Sequence, residues 1–414
     1  MSEEATLEEF RDKSEGDQRQ DWRKVKLGEV SWKRSENVDP QEVDLDRHVG
    51  LEHIEPNTPS PKWEPLDDLS STKRRFRSGD ILFAKLRPNL EKSAQPDFEG
   101  VSSTDIFPIV AEQGVNSKFL LYRLSSKPAF DYARRTSAGT RMPRTSWNLF
   151  SNFEFDLPPL SEQRKIATVF YTIDRAIEQS KEIIEQTKRL KLGVSQHYFE
   201  DYDTVRREEN PESVNMIELS ELVEFKPGKA WKTDNLSEEG LKVVRISNLT
   251  GEKEDYWWYN GDYEQRRVIE DGDLLFSWAG MKSSIGVHLY RGEKALLNQH
   301  IYNLEPKSTI GRKYLYYYLD YRMSDLHSLS QGGAVQIHLT KDIIESILIP
   351  EVNSKERESI VSHLSEIDNA LQNETCRKNQ LRRLKRGLQQ DLLSGTVRTT
   401  DTKIEVPDEI AQHG

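Results

Sequence analysis

Two stretches of this chain carry apolar residues at alternating three- and four-residue spacing. Ile166, Phe170, Ile173 and Ile177 follow Pro158-Pro159, and Ile360, Leu364, Ile367 and Leu371 follow Pro350. That spacing predicts an amphipathic helix in each case. The apolar positions continue through Ile184, Leu190 and Val194 in the first and through Leu381, Leu384, Leu388 and Leu392 in the second. No proline interrupts 160–200 or 351–400. Each helix is therefore expected to run for about 40 residues, or roughly 60 Å.

The regions before the helices have a different texture. Residues 24–30 and 243–246 alternate as short strands do, whereas 117–124 and 312–320 read as helical. An α+β class follows for two globular heads, 21–158 and 214–352.

The heads are copies of one unit. At an offset near 194 residues, five segments recur in the same order. Val49-Gly50-Leu51-Glu52-His53-Ile54 is loosely echoed by Val244-Arg245-Ile246-Ser247-Asn248-Leu249, and Ser78-Gly79-Asp80-Ile81-Leu82-Phe83 by Asp271-Gly272-Asp273-Leu274-Leu275-Phe276. Ser137-Ala138-Gly139-Thr140 answers to Gln331-Gly332-Gly333-Ala334, Phe155-Asp156-Leu157-Pro158 to Ile347-Leu348-Ile349-Pro350, and the helices to each other, including Arg189-Leu190-Lys191 and Arg383-Leu384-Lys385. An internal repeat of this kind dictates the architecture before any motif does.

A narrow apolar stripe on a long helix must be buried against something, and the simplest partner is its own duplicate, paired antiparallel as a coiled coil. The expected order is an acidic tail (1–20), the first head (21–158), the first helix (159–202), a linker (203–213), the second head (214–352), the second helix (353–396) and a C-terminal tail (397–414). The alternative is a pair of ordinary amphipathic helices, each packed within its own domain.

Composition narrows the function. The 414 residues suffice for two to four domains, and 35% hydrophobic content with 15 Tyr, 14 Phe and 8 Trp fits folded, soluble domains despite a mean hydropathy of -0.77. No apolar run reaches the ~18 residues of a spanning helix, and the N-terminus has no signal-peptide pattern. With Cys376 as the one cysteine, disulfides within the chain and Cys-based metal sites are excluded, in keeping with a reducing, cytoplasmic location. The nine histidines show no zinc spacing, so no metal is assigned.

The net charge of -11 conceals a strong asymmetry. Residues 1–72 hold nineteen Asp/Glu against ten Lys/Arg, whereas residues 73–92 hold seven Lys/Arg against Asp80 and Glu91. Attraction to phosphate responds to such local patches within about a Debye length.

Taken in order, several motifs resemble the specificity subunits of type I restriction-modification systems, over nearly the whole chain. They are Leu157-Pro158-Pro159-Leu160-Ser161-Glu162-Gln163-Arg164-Lys165-Ile166 with Ile173-Asp174-Arg175-Ala176-Ile177, and Leu392-Leu393-Ser394-Gly395-Thr396-Val397-Arg398. Within the heads they are Gly50-Leu51-Glu52, the run from Gly79 to Pro88, Ser103-Thr104-Asp105, and Leu297-Asn298-Gln299-His300. One departure is the start of the second helix, Ile349-Pro350-Glu351-Val352-Asn353-Ser354-Lys355-Glu356-Arg357, which has two extra residues and Arg where the family has Gln.

The resemblance implies a non-catalytic subunit with two target-recognition domains on a helical spacer. It implies docking between two methylation subunits, with restriction subunits completing the nuclease. S-adenosylmethionine, ATP and Mg²⁺ would be used by those partners, and this chain would carry no cofactor. An asymmetric bipartite duplex target follows from two divergent heads, since B-DNA presents the same face about every 34 Å.

Candidate DNA contacts in the first head are Lys85 and Arg87 beside the Gly-Asp strand, and Arg135, Gly139, Arg141 and Arg144 around the glycine loop. In the second head they are Lys282, Gln299, Gly333 and Gln336, since glutamine can bind adenine's edge bidentately. For any single one, a solvated surface charge or a simple turn is the competing explanation. Tyr256-Trp257-Trp258-Tyr259 offers stacking surfaces for bases, with core or domain-interface packing the favoured role.

Catalytic signatures are missing from the sequence. There is no Asn/Asp-Pro-Pro-Tyr methyltransferase motif and no Gly-x4-Gly-Lys-Ser/Thr phosphate loop. Asp273 with Glu305-Pro306-Lys307 is the nearest approach to a metal-dependent nuclease triad, but Glu112-Gln113-Gly114 at the matching place in the first head lacks the lysine. A self-sufficient DNA-cutting enzyme is the rival class, and a coiled-coil scaffold that never touches DNA is a third.

Overall fold

The computed structural model describes residues 21–67, 69–202, 214–231, 236–307, 309–329 and 336–413. The proposed acidic tail at 1–20 and linker at 203–213 lie outside the described residues. Contacts divide the chain into two compact units, Met1–Glu182 with Cys376–Gly414, and Ile183–Thr375. Each unit holds one head and part of both long helices.

In the first head, a four-stranded sheet is ordered Ser31–Lys33, Ile106–Ala111, Ile81–Ala84, Ser93–Ala94. The second head repeats that order with Val223–Pro227, Ile301–Pro306, Leu274–Ser277 and Gly286–Leu289. Beside each lies a second sheet with one parallel pair, His48–Val49 on Gly100–Ser102 in the first head and Leu241–Val244 on Ala295–Leu297 in the second. The repeat read from the sequence is thus a repeat of topology. The second head adds Leu236–Ser237 and Trp257–Tyr259 to its second sheet.

The Gly-Asp turns behave alike. Gly79 and Gly272 have φ of +84° and +86°, a region that costs glycine little. Asp80 Oδ2 accepts from Arg77 N, and Asp273 Oδ2 from Glu270 N, both at 2.9 Å. Each turn delivers a fully buried strand into a core.

Two predicted strands end earlier than expected. The run 24–30 is a strand over Arg23–Lys26 followed by one helical turn, Leu27–Val30, and in the second head Leu241–Val244 gives way to a helical turn at Ile246–Leu249. Over four residues an apolar pattern cannot separate a strand from a turn of helix.

The long helices span Leu160–Phe199 and Ser354–Ser394. Within the first unit, Ile166, Phe170, Leu392 and Leu393 join the core of the head. Within the second, Phe199, Ile360 and Leu364 do the same. The pairing is antiparallel: in the second unit Lys191 meets Asp368, Tyr198 meets His363, and Tyr202 meets Glu356.

Leu190 and Leu384, counted in the apolar stripe, are instead exposed at 55% and 51%. The lysines that follow them face inward. A straight helix drifts about 20° per heptad from a 3.5-residue repeat, and an aspartate on the facing helix, Asp368 opposite Lys191 and the buried Asp174 opposite Lys385, favours a lysine there.

The segment after the second helix, expected as a tail, is packed onto the first head. Glu162, 2% exposed, accepts from Trp22 Nε1 (2.9 Å), from Arg398 Nε and Nη2 (both 2.8 Å) and from Thr399 N (3.1 Å). Ile410 is fully buried, and its carbonyl accepts from Asn116 Nδ2.

Candidate nucleic-acid interface

In each head the residues after the Gly-Asp strand meet the residues after the glycine loop. In the first head Leu86 bridges to Arg144, Arg87 N donates to Pro143 O (2.8 Å), and Thr145 N donates to Lys85 O (3.1 Å). Lys85 and Arg87, beside the Gly-Asp strand, and Gly139, Arg141 and Arg144, in the glycine loop, thus lie on segments that meet at one junction. Arg87, Gly139 and Arg141 are exposed there.

Lys85 and Arg144 are engaged within the protein. Arg144 donates through Nε (2.8 Å) and Nη2 (3.0 Å) to Asp105 and through Nη1 to the Met142 carbonyl (3.3 Å), and Lys85 Nζ lies 3.9 Å from Asp105. The hydrogen bonds from Arg144 outweigh partial burial and hold the Asp105 carboxyl below its usual range. This triad pins the glycine loop to the sheet. Arg135 stands apart, on the last turn of the helix Lys127–Arg135, where it lines an open groove with Lys26, Tyr132, Asn152 and Glu154.

The second head builds the same junction from two short strands, Ala279–Met281 and Gln336–His338, which pair antiparallel. Lys282 follows the first strand directly and is exposed, and Gln336 lies opposite Met281. Gly333 lies outside the described residues. Gln299 is exposed on the neighbouring turn, its Nε2 2.9 Å from His300 Nε2, and Trp278 N donates to His300 O at 3.2 Å.

Other candidates resolve differently. Tyr259 is buried against Trp231 (4.5 Å between rings), and Trp257 and Trp258 carry Arg245 and Lys242 on their faces. That favours packing over base stacking. Asp273 and Glu305 share Arg312 Nη2 at 3.5 and 2.9 Å, while Lys307 Nζ turns to the Ser220 carbonyl. An arginine already balances the two carboxylates of the suggested nuclease triad.

The pair His48 and His53, five apart and read from the sequence as no metal site, gains Glu64 as a third member that the sequence reading missed. His48 and His53 flank Glu64, with His48 Nδ1 at 2.8 Å and His53 Nε2 at 3.6 Å from its two oxygens. His53 Nδ1 accepts from Gly50 N (2.9 Å), so the neutral ring carries its proton on Nε2, toward Glu64. His48 hydrogen-bonds Glu64 by side chain and backbone, and His53 turns an N–H toward the same carboxylate, so the cluster ties 48–53 to Glu64. That arrangement suits structure better than metal ligation.

Comparison with known proteins is decisive. Residues 19–189 and 211–383 match the type I restriction modification DNA specificity domain. The chain belongs to the type I restriction-modification specificity family. Among relatives of this specificity subunit, the MjaVIII specificity subunit of Methanocaldococcus jannaschii is 27% identical over 68% of this chain and 70% of its own length. The EcoDI specificity subunit of Escherichia coli is 24% identical over 52% of this chain and 50% of its own. A crystal structure of the type I restriction-modification S subunit from M. genitalium shares the fold, at a TM-score of 0.59 and 16% identity over 90% of this chain and 96% of that one. A structure described as showing complex assembly and conformational transition of a type I system covers 91% and 99%, at a TM-score of 0.53 and 23% identity.

The specificity subunit is the non-catalytic, DNA-recognising component of such a system and acts with its other subunits. No described helix is long and apolar enough to cross a membrane.

Proposed function

We propose that each head of this specificity subunit reads one half of an asymmetric bipartite duplex target. The chain carries two methylation subunits, which modify adenine, and restriction subunits, which cut DNA at the expense of ATP. S-adenosylmethionine, ATP and Mg²⁺ belong to those partners, and the complex works in the cytoplasm.

One observation carries the reading. Two heads of the same strand order present different side chains at the same junction, cations in the first and Gln299 with aromatic rings in the second. Identical scaffolds with divergent surfaces are suited to two unlike half-sites. Lys and Arg hydrogen-bond guanine O6 and N7, whereas glutamine pairs with adenine.

Replacing residues 21–158 with the first head of another specificity subunit tests this directly. The expected result is a new first half-site with the second unchanged, read by mapping methylated adenines. A change in both halves refutes the modular reading. Methyl transfer or DNA cleavage by the purified chain alone, with Mg²⁺, ATP and S-adenosylmethionine, refutes the division of labour.

A further inference from the structure

Strand register equates the two heads residue by residue. Phe83 pairs with Phe107 as Phe276 pairs with Tyr302, so Phe107 and Tyr302 are equivalent. Lys33 faces Ile109 as Phe225 faces Leu304, two residues further along, which equates Lys33 with Phe225. Lys85 N donates to Asp105 O, and Thr145 N to Lys85 O; likewise Trp278 N donates to His300 O, and Leu339 N to Trp278 O. Lys85 therefore matches Trp278, Asp105 matches His300, and Arg144 matches His338.

One backbone frame thus carries two opposite chemistries. In the first head, Lys33 Nζ and Lys85 Nζ stand 5.9 and 5.7 Å from the Phe107 ring, beside the Asp105–Arg144 pair. Arg74 adds a further cation whose Nε is buried without a hydrogen-bond partner among the described residues. In the second head, Trp278 lies 6.1 Å from Tyr302, 5.3 Å from His300 and 5.4 Å from His338, while Phe225 lies 5.6 Å from Tyr302. Trp278 Nε1 and His300 Nδ1 are buried with no partner among the described residues.

We propose that Lys33, Lys85, Asp105 and Arg144 and their matches Phe225, Trp278, His300 and His338, backed by the buried Phe107 and by Tyr302, form the specificity-determining wall of each head, and this rests on the reading of each head as a half-site reader. The wall of the first head takes hydrogen-bond acceptors, phosphate oxygens or the N7 and O6 of guanine. The wall of the second takes uncharged base edges, the thymine methyl and, through Gln299 held by His300, adenine. Neither Lys33 nor Phe225 stands in a recognisable motif, and only the fold brings them to the junction.

The charge states agree with that division. Burial, then Arg74 and Lys85, push the Lys33 ammonium below its ordinary value, as expected of a cation crowded by other cations. Burial and His338 push the His300 imidazole down, which keeps that ring neutral near pH 7.

The test uses the full-length chain, co-expressed with its methylation subunits and bound to a duplex library randomised at both half-sites. Bound duplexes are sequenced, and affinity is followed against salt on the best of them. Lys33→Gln with Lys85→Gln should alter preference at one half-site only, or flatten the plot of log K against log salt by about 0.9 per lost phosphate contact. Altered preference assigns the guanine edge, and a flatter slope assigns phosphate.

Phe225→Leu with Trp278→Leu should leave that slope intact and weaken or change the other half-site by roughly tenfold. Lys33→Arg with Lys85→Arg keeps the charge and should keep the wild-type slope, which separates lost contact from lost fold. The proposal is overturned if both lysine-to-glutamine changes leave slope and preference intact, or if the two double variants disturb the same half-site. In either case wild type still selects a bipartite target. Failure of wild type to select any sequence would instead defeat the half-site reading itself.

Discussion

Asp174 of the first long helix and Lys385 of the second meet at 2.5 Å, with side chains only 7% and 8% exposed. The equivalent residues exchange roles in the second unit, where Lys191 meets Asp368 at 2.9 Å and Asp320 at 3.2 Å. Each pairing fixes an antiparallel register that an apolar stripe alone would leave free to slip. Burial pushes the Asp174 carboxyl above its usual range despite Lys385. Burial would lower the Lys191 ammonium, but the nearby aspartates outweigh it and hold it above its usual range.

Removing one partner of such a pair should cost more than removing both. Lys385→Met leaves Asp174 buried and unpaired and is expected to destabilise the chain by about 3 kcal/mol, whereas adding Asp174→Leu should recover much of that loss. Urea unfolding of the single and double variants checks it. Equal losses in both would mean that the pair itself, rather than the stranded carboxylate, carries the stability.

Acid should loosen the packing of the C-terminal segment on the first head. Burial would raise the Glu162 carboxyl, but hydrogen bonds from Arg398, Trp22 and Thr399 outweigh it and keep the group below its ordinary 4.5. A depressed carboxyl contributes fully above the unfolded value and loses that contribution as pH falls through the folded one. Thermal unfolding followed from pH 7 to pH 3 should show the loss below about 4.5. Glu162→Gln should flatten that dependence and lower stability at neutral pH by about 2 kcal/mol.

The second head has its own acid sensitivity at a higher pH. His288, on a strand beside Ser277, is pushed down by burial to about 4, so the folded state holds it neutral. The unfolded chain takes up the proton first. Stability should therefore be complete above about 6.5 and fall as the pH drops toward 4, by up to about 3 kcal/mol. Tryptophan fluorescence during denaturation reports it, and His288→Phe should weaken the dependence in that window, leaving the smaller share of His48, His300 and His413.

These relationships show which parts of the molecule were open to sequence reasoning. The duplication, the Gly-Asp turns and the two long helices depend on local periodicity and on repeats, and Ile81 and Leu274 begin equivalent buried strands where the repeat placed them. Lys85 and Arg144 could be singled out because both flank repeated segments, but their meeting at one junction could not. Hidden were contacts that only tertiary pairing creates: Arg144 with Asp105, Lys33 over Phe107, and Trp278 among histidines. A position-by-position comparison of the repeats would have set Lys85 against Trp278 and given the one available signal. The inward lysines were misplaced because a charged residue in an apolar stripe is read as outside unless its buried partner is known.

The turn that carries Gln299 depends on a close backbone approach. Gly228 N donates to Ile301 O at 2.9 Å, Lys229 N donates to Leu297 O at 3.0 Å, and a Cβ on Gly228 would fall 1.9 Å from the Asn298 carbonyl oxygen. Because the clash is with backbone, no side-chain rotation relieves it, and Gly228→Ala must push the 297–299 turn outward or break its bridge to Lys229. The core strands Leu274–Ser277 and Ile301–Pro306 pair independently of that turn. The expected outcome is a protein that still folds, binds DNA through its first head with an unchanged salt dependence, and loses discrimination at the second half-site. Sequencing duplexes bound by the variant tests this, and intact selection at both half-sites would show that the turn plays no part in reading DNA.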